Sequence, residues 1–170
     1  MHCSIIRASP NAWRRVKNGS CRSAPVTLRW FDFITPSTLQ LAPLLELLLE
    51  PVRCARLQAE LQLGLQEALV NAVRHGNGCD PGKCVRVRRI ESPNWWIWQV
   101  QDEGPGVPSS GRCAQLPQQC DATGGRGLFL IHHCFDDVRW SRRGNRLQLA
   151  VNRSRQLRRF YGGAAGSLDR

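Results

Sequence analysis

The stretch ELQLGLQEALVNAVRHGN, residues 60–77, decides the fold of this chain. Together with the residues just before it, it repeats apolar side chains at intervals of three and four, which predicts a long amphipathic helix over residues 56–75. The run Gly-Asn-Gly at 76–78 predicts the end of that helix, because glycine readily adopts the backbone conformation of a helix C-terminus. The apolar residues that define the buried face are Leu57, Leu61, Leu65, Ala68, Leu69, Ala72 and Val73.

Glu67 and Asn71 lie four residues apart on this predicted helix, so their side chains share one face. A carboxylate there could accept a proton, and an amide oxygen could ligate Mg²⁺, which prefers oxygen ligands. The pair alone is equally typical of a solvated polar stripe on an amphipathic helix. It indicates a site only in combination with other motifs.

The segments around the helix alternate between strand-like and helix-like patterns. A shorter helix is predicted from about residue 36 to Glu50, where Pro51 ends it. This order of elements predicts a two-layer α/β sandwich, with a mixed, mainly antiparallel sheet and helices on one face. The predicted strands are Thr27–Ile34, Cys84–Glu91, Trp95–Asp102, Asp137–Ser141 and Arg146–Asn152, and a last helix is predicted over Gly127–Phe135.

Asp102 ends an apolar row on the predicted strand 95–102. A carboxylate that continues a buried row is costly unless it is paired or hydrogen-bonded, which marks Asp102 as a candidate functional residue. Gly104 and Gly106 follow it, and a glycine turn would let a flat ring lie close while Asp102 accepts its amino hydrogen. A plain turn is the alternative. The residues that share one face of the strand are Trp96, Trp98, Val100 and Asp102.

Gly124, Gly125, Arg126 and Gly127 lead directly into the predicted helix 127–135. A helix N-terminus offers unpaired backbone N–H groups and the positive end of the helix dipole, and glycines let a phosphate approach them closely. Arg126 could add a charged contact. This run is therefore a candidate phosphate-binding segment, with a flexible hinge as the alternative.

The net charge of +11 is concentrated at the two ends of the chain. Residues 1–25 hold five basic and no acidic side chains, and residues 153–170 hold five arginines and one aspartate, so residues 26–152 are nearly balanced. Solvated tails and contacts with acidic partners both fit this pattern. Zinc-finger spacing and an RNP-like aromatic motif are absent, so direct nucleic-acid binding is not expected.

The eight cysteines show no CxxC spacing, and the N-terminus lacks the continuous apolar segment of a secretory signal. No apolar stretch is long enough to cross a bilayer. We therefore expect a cytoplasmic protein with reduced thiols. Its predicted parts are a disordered basic extension over residues 1–25, a folded domain over 26–152 and a frayed basic tail over 153–170.

Three segments in sequence order resemble the N, G1 and G2 boxes of the GHKL, or Bergerat-fold, histidine-kinase-like ATPase superfamily. They are residues 60–77, WQVQDEGPGV at 98–107 and GGRGLFLIHHCFDDV at 124–138. Within that superfamily the chain looks most like the anti-sigma-factor serine-protein kinases that regulate stress and sporulation sigma factors in bacteria. The resemblance covers about residues 26–152. A GxxxxGK[ST] loop is absent, so a P-loop NTPase is excluded.

The resemblance implies a role for each motif residue. Asn71 would ligate Mg²⁺, and Glu67 would act as the general base. Asp102 would recognise the adenine amino group. Glycines would line the rest of the ATP site, with Gly104 and Gly106 at the adenine and Gly124, Gly125 and Gly127, beside Arg126, at the phosphates.

The implied function is an ATP- and Mg²⁺-dependent serine-protein kinase that phosphorylates a STAS-type anti-anti-sigma protein, sequesters a sigma factor and can form a homodimer. An ATP-dependent protein-binding switch without kinase activity would use the same residues and stays open. A stand-alone histidine-kinase-type ATPase domain is a further alternative, although the residues before Thr27 leave little room for dimerisation helices. DNA-repair and chaperone ATPases of the superfamily use additional domains.

Overall fold

The computed structural model describes residues 5–6, 27–112 and 126–161, which form an antiparallel sheet with a layer of helices. Among these residues six strands lie in the spatial order β1-β2-β3-β4-β6-β5. The strands are β1 (Ile5–Ile6), β2 (Arg29–Pro36), β3 (Cys84–Glu91), β4 (Trp95–Gln101), β5 (Asp137–Trp140) and β6 (Arg146–Asn152).

Four α-helices and two short helical turns accompany the described strands. The longest helix, α2, passes without interruption into a π-helical turn, in which the Asn77 backbone N–H donates to the Ala72 carbonyl oxygen at 2.8 Å. The helices are α1 (Ala42–Leu49), α2 (Ala55–Asn71), α3 (Arg126–Cys134) and α4 (Ser154–Tyr161), and the turns are the π turn (Ala72–Gly76) and a 3₁₀ turn (Ser109–Arg112).

The predicted two-layer α/β sandwich is confirmed. Strands β3 and β6 have the predicted bounds. Strand β2 is shifted by two residues from the predicted Thr27–Ile34, because its pairing with β3 runs from Arg29 opposite Glu91 to Pro36 opposite Cys84. Every neighbouring pair of described strands is antiparallel, so the parallel pairing that a mixed sheet would require is not found among them.

The core lies between the helices and one face of the sheet, as the sequence patterns predict. On β4, Trp96 and Trp98 are fully buried and Val100 is 3% exposed. The predicted apolar face of α2 is buried against this row, with Leu57, Leu61, Leu65 and Leu69 at 0% exposure. Burial of a leucine side chain stabilises a fold by roughly 1.5–3 kcal/mol, so these residues contribute much of the hydrophobic stabilisation.

Trp98 links the sheet to two helices. Its indole Nε1 donates to the Leu48 carbonyl oxygen in α1 at 3.0 Å, and its ring meets Phe135, just after α3, edge to face at a centroid distance of 5.9 Å. The buried Trp98 side chain thus has a hydrogen-bond partner for its N–H group and packs against Phe135. The end of β4, where Asp102 follows, is fixed by this packing.

The terminal segments differ in part from expectation. Two residues of the predicted disordered extension, Ile5 and Ile6, pair with β2 as the short strand β1. The start of the predicted frayed tail is helical, because in α4 the Arg155 guanidinium donates to Glu60, to the Cys134 carbonyl oxygen and to Asp136. The remainder of both segments lies outside the described residues.

None of the helices in the described part of the chain is both long and apolar enough to cross a membrane.

Candidate functional site

A cavity of about 310 Å³ opens between α2 with its π turn, the ends of β4 and β6, and the start of α3. Four of the predicted site residues contribute to its wall: Asn71, Asp102, Gly106 and Gly127. Most of the remaining wall is apolar or glycine, which suits a flat heterocycle. The other lining residues are Ala68, Ala72, His75, Gly76, Val100, Val107, Gly111, Leu128, Trp140 and Leu147.

Asp102 is the partly buried acid of this cavity. Its Oδ1 accepts the Gly104 backbone N–H at 2.8 Å, and its own backbone N–H donates to the Asn145 carbonyl oxygen at 3.0 Å. Among the described residues no hydrogen bond reaches Oδ2, which lies against Gly76. Burial raises the pKa of Asp102, although the hydrogen bond from Gly104 opposes that effect. The geometry leaves one carboxylate oxygen available to a ligand donor.

Removal of the Asp102 charge is expected to stabilise the ligand-free protein. Because the folded pKa is raised above the unfolded value, stability falls as pH rises from the unfolded pKa through the folded pKa. Asp102→Asn should therefore unfold at a higher Tm than the unaltered chain at neutral pH, and the advantage should vanish below the ordinary aspartate pKa of about 3.9. Thermal unfolding across this pH range measures the difference. A variant that is less stable at neutral pH would contradict the desolvation of this carboxylate.

Gly104 is buried and lies directly on the end of the π turn. A Cβ at residue 104 would come within 2.0 Å of the Gly76 carbonyl oxygen, and one at residue 76 within 2.3 Å of Asp102 Cγ. Gly104 does not contribute to the cavity wall, in contrast to the expectation that it lines the adenine pocket. Its absent side chain instead lets the Asp102 turn pack against the end of the helix.

Gly104→Ala is expected to reduce both stability and nucleotide affinity. The clash is with backbone atoms, which cannot rotate away, so the cost should be about 1–3 kcal/mol of overpacking, with a displaced Asp102. Thermal unfolding with and without ATP measures both effects. Gly82→Ala is the matched control, because a Cβ there meets only the Asp80 side chain at 3.2 Å. Equal Tm values for the two variants would contradict the packing argument.

Gly106 lines the cavity with a positive φ of 91°, which favours glycine. The turn between β5 and β6 contacts this loop closely: a Cβ on Gly106 would lie 2.1 Å from the Arg143 carbonyl oxygen. The Val107 backbone N–H donates to the Gly144 carbonyl oxygen at 3.0 Å, and the Arg112 Nε donates to the Val107 carbonyl oxygen at 2.8 Å. The loop after β4 is therefore held by the neighbouring hairpin.

The N-terminal turn of α3 meets the polar face of α2. A Cβ on Gly127 would lie 2.8 Å from Glu67 Oε2 and 3.5 Å from Asn71 Nδ2. Asn71 lines the cavity, whereas Glu67 is not part of its wall and lies at the margin against Gly127. Arg126 begins α3 and is exposed. The predicted phosphate-binding residues Gly124 and Gly125 lie outside the described residues.

Asn77 is a buried residue of the site that the sequence indicated only as a helix end. Its Oδ1 accepts the Glu103 backbone N–H at 2.8 Å, while its Nδ2 donates to Ser37 Oγ at 3.2 Å and to the Cys84 carbonyl oxygen at 3.1 Å. One amide thereby joins the end of the π turn to three other segments. Asn77 is 1% exposed, so it positions the loop of Asp102 without facing the cavity.

Trp140, Leu147 and His75 also line the cavity without having been assigned to it. The first two could have been identified from strand alternation, since they are paired in register between β5 and β6 and face the core. His75 had no separate role, although it stands one turn beyond Asn71 on the same helical face. Together they add aromatic, aliphatic and imidazole surface to the predicted motifs.

Comparison with protein families matches residues 38–151 to the model described as histidine kinase-like ATPase domain. The matched range contains every described residue that lines the cavity, from Ala68 to Leu147. Comparison with curated proteins finds no match.

Proposed function

The chain belongs to the histidine kinase-like ATPase domain family, and from this premise we propose that it is an ATP- and Mg²⁺-dependent anti-sigma regulatory factor that acts as a serine-protein kinase. The observation that supports the proposal is the convergence of Asn71, Asp102, Gly106 and Gly127 on one cavity. Its substrate in this proposal is a STAS-type anti-anti-sigma protein, and the protein that it sequesters is a sigma factor in the cytoplasm.

The donors and acceptors around the cavity fit ATP. Asp102 Oδ2 accepts a hydrogen bond from the exocyclic amino group of adenine, since Oδ1 already accepts one from the Gly104 backbone N–H. The apolar part of the wall, which includes Val100 and Leu147, contacts the adenine ring. The phosphates lie toward Gly127, where the first turn of α3 supplies backbone N–H groups and a positive dipole end.

Asn71 is the residue that would hold Mg²⁺, through its side-chain oxygen. The amide lies in the cavity wall beside Gly127, where the phosphate end of the nucleotide is expected. Mg²⁺ takes oxygen ligands and keeps several of its waters, so a single protein ligand with phosphate oxygens is a sufficient set. Bound there, the cation would neutralise phosphate charge.

Glu67 supplies the general base in the proposed transfer. The serine hydroxyl oxygen of the partner forms a bond to the γ-phosphorus while the bond from that phosphorus to the β,γ-bridging oxygen breaks, and ADP leaves with its electron pair. The hydroxyl proton passes to the Glu67 carboxylate. Positioning and charge stabilisation account for most of the catalysis in such transfers, and a placed base adds to them.

Incubation of the purified chain with a STAS-type protein, ATP and Mg²⁺, followed by intact-mass measurement of both proteins, tests the kinase proposal. The expected result is the mass of one phosphoryl group on the STAS-type protein. Complex formation that requires ATP but leaves its mass unchanged would replace the kinase by an ATP-dependent binding switch. The position of Glu67 at the margin of the cavity, outside its wall, is the observation that favours this second function.

A further inference from the structure

Polar side chains form a groove on the face of the sheet that points away from the helices. The groove has a volume of about 200 Å³. In the strand register Arg86 lies opposite Gln101, which lies opposite Arg146, so two arginines flank one amide on three adjacent strands. The residues that line this sheet-face groove are Asp32, Arg86, Arg88, Gln99, Gln101 and Arg146.

The single acid of the sheet-face groove is already neutralised. Arg88 holds Asp32 with two hydrogen bonds, from Nε to Oδ1 at 2.6 Å and from the second guanidinium nitrogen to Oδ2 at 2.9 Å. The hydrogen bond to Asp32 raises the pKa of Arg88. The positive charge that remains in the groove belongs to Arg86 and Arg146.

Neither Arg86 nor Arg146 has a side-chain partner among residues 27–112 and 126–157. Gln99 donates its Nε2 to Gln148 Oε1 at 2.9 Å, whereas the Gln101 amide between the two arginines makes no side-chain hydrogen bond in the same part of the chain. Strands stand roughly 4.8 Å apart, so the two arginine Cα atoms lie about 10 Å from each other, and side chains of this length can converge over Gln101.

We propose that the sheet-face groove binds a phosphate group through Arg86, Arg146 and Gln101. A carboxylate offers two oxygens, which one guanidinium fork saturates, whereas a phosphate has further oxygens that a second fork and an amide N–H can reach. The groove is separate from the ATP cavity, because Gln101 points to the open face of the sheet and Asp102, the next residue, points into the cavity. The source of the phosphate is either a small free anion or the backbone of a single-stranded nucleic acid.

A second copy of the chain is a poorer occupant of this groove. A symmetric contact about a two-fold axis through the groove would place the two unpaired arginines against the same two arginines of the other copy. Like charges in contact oppose association unless an anion lies between them. The charge of the groove therefore favours an anionic ligand.

Titration of the full chain with inorganic phosphate, followed by the NMR signals of the arginine Nε–H groups, tests the proposal. Saturable shifts are expected at Arg86 and Arg146, and the double variant Arg86→Gln/Arg146→Gln should bind phosphate at least about tenfold more weakly. The matched control is Arg53→Gln/Arg56→Gln, which removes the same charge from exposed positions before and at the start of α2. Its phosphate affinity should equal that of the unaltered chain.

Two further ligands complete the experiment. Acetate at equal ionic strength should bind more weakly than phosphate, because a carboxylate engages only one guanidinium fork, and an equal affinity for acetate would overturn the assignment to phosphate. A short oligothymidylate that shifts the same signals at lower concentration would identify nucleic acid as the source, and a response to phosphate alone would identify a small anion. The proposal would be overturned if neither phosphate nor oligothymidylate shifted the signals. It would also be overturned if Arg86→Gln/Arg146→Gln bound phosphate with unchanged affinity. The rise in Tm with ATP should persist in both double variants, because the groove lies outside the ATP cavity.

Discussion

Asp102→Asn is expected to remove nearly all of the stabilisation that ATP and Mg²⁺ give to the unaltered chain. A carboxylate has two acceptor oxygens, one for the Gly104 backbone N–H and one for the adenine amino group. An amide has one. In either orientation of the asparagine side chain, a donor therefore meets a donor, at the adenine or at Gly104, and a buried polar group is left unpaired.

The loss of ATP-dependent stabilisation in Asp102→Asn should be large enough to measure by thermal unfolding. At a ligand concentration of 100 times Kd, binding adds about 2.7 kcal/mol to the free energy of unfolding, which corresponds to a rise in Tm of roughly 5–10 °C for a chain of this size. If the substitution weakens binding on the order of 100-fold, the remaining stabilisation is about 0.4 kcal/mol. Thermal unfolding with and without ATP and Mg²⁺ measures both values.

Glu103→Gln is the matched control, because it changes an exposed neighbouring carboxylate that is not part of the cavity wall. It should keep the full rise in Tm. The higher Tm expected of ligand-free Asp102→Asn at neutral pH shows in the same experiment that this variant is folded. An unaltered response to ATP in Asp102→Asn would contradict the assignment of the cavity to adenine.

Local patterns were sufficient for most of the fold. The alternation along β4 predicts that Trp96 and Trp98 lie on one buried face, and both are fully buried. Helix α4 escaped prediction because arginine-rich sequence resembles a solvated tail. Its order depends on Arg155 meeting Glu60, an acid far away along the chain, and no local pattern contains that ion pair.

In the candidate site, too, residues marked by a local pattern were predictable, and residues defined by contacts between distant segments were not. Asp102 was predictable because a carboxylate at the end of a buried apolar row is costly unless it has a partner. Asn71 was predictable because it occurs together with Glu67 and the glycine motifs. Asn77 was not, since its three hydrogen bonds reach segments brought together only by the order of the strands. Gly144 was missed as well, because it meets Val107 only once β6 lies beside β4.

Glu67→Gln is expected to slow phosphoryl transfer to a STAS-type protein by about 10²–10⁴-fold while ATP still binds. Glutamine has the shape of glutamate, so the close contact with Gly127 is preserved, but its amide cannot accept the serine proton. Since Glu67 is not part of the cavity wall, the rise in Tm with ATP and Mg²⁺ should remain. Single-turnover transfer followed by intact-mass measurement gives the rate.

Glu46→Gln, which changes an exposed carboxylate of α1, is the control for loss of one negative charge and should transfer normally. Transfer by Glu67→Gln at the unaltered rate would remove Glu67 as the base, whereas loss of both transfer and ATP binding would assign this carboxylate to the nucleotide site.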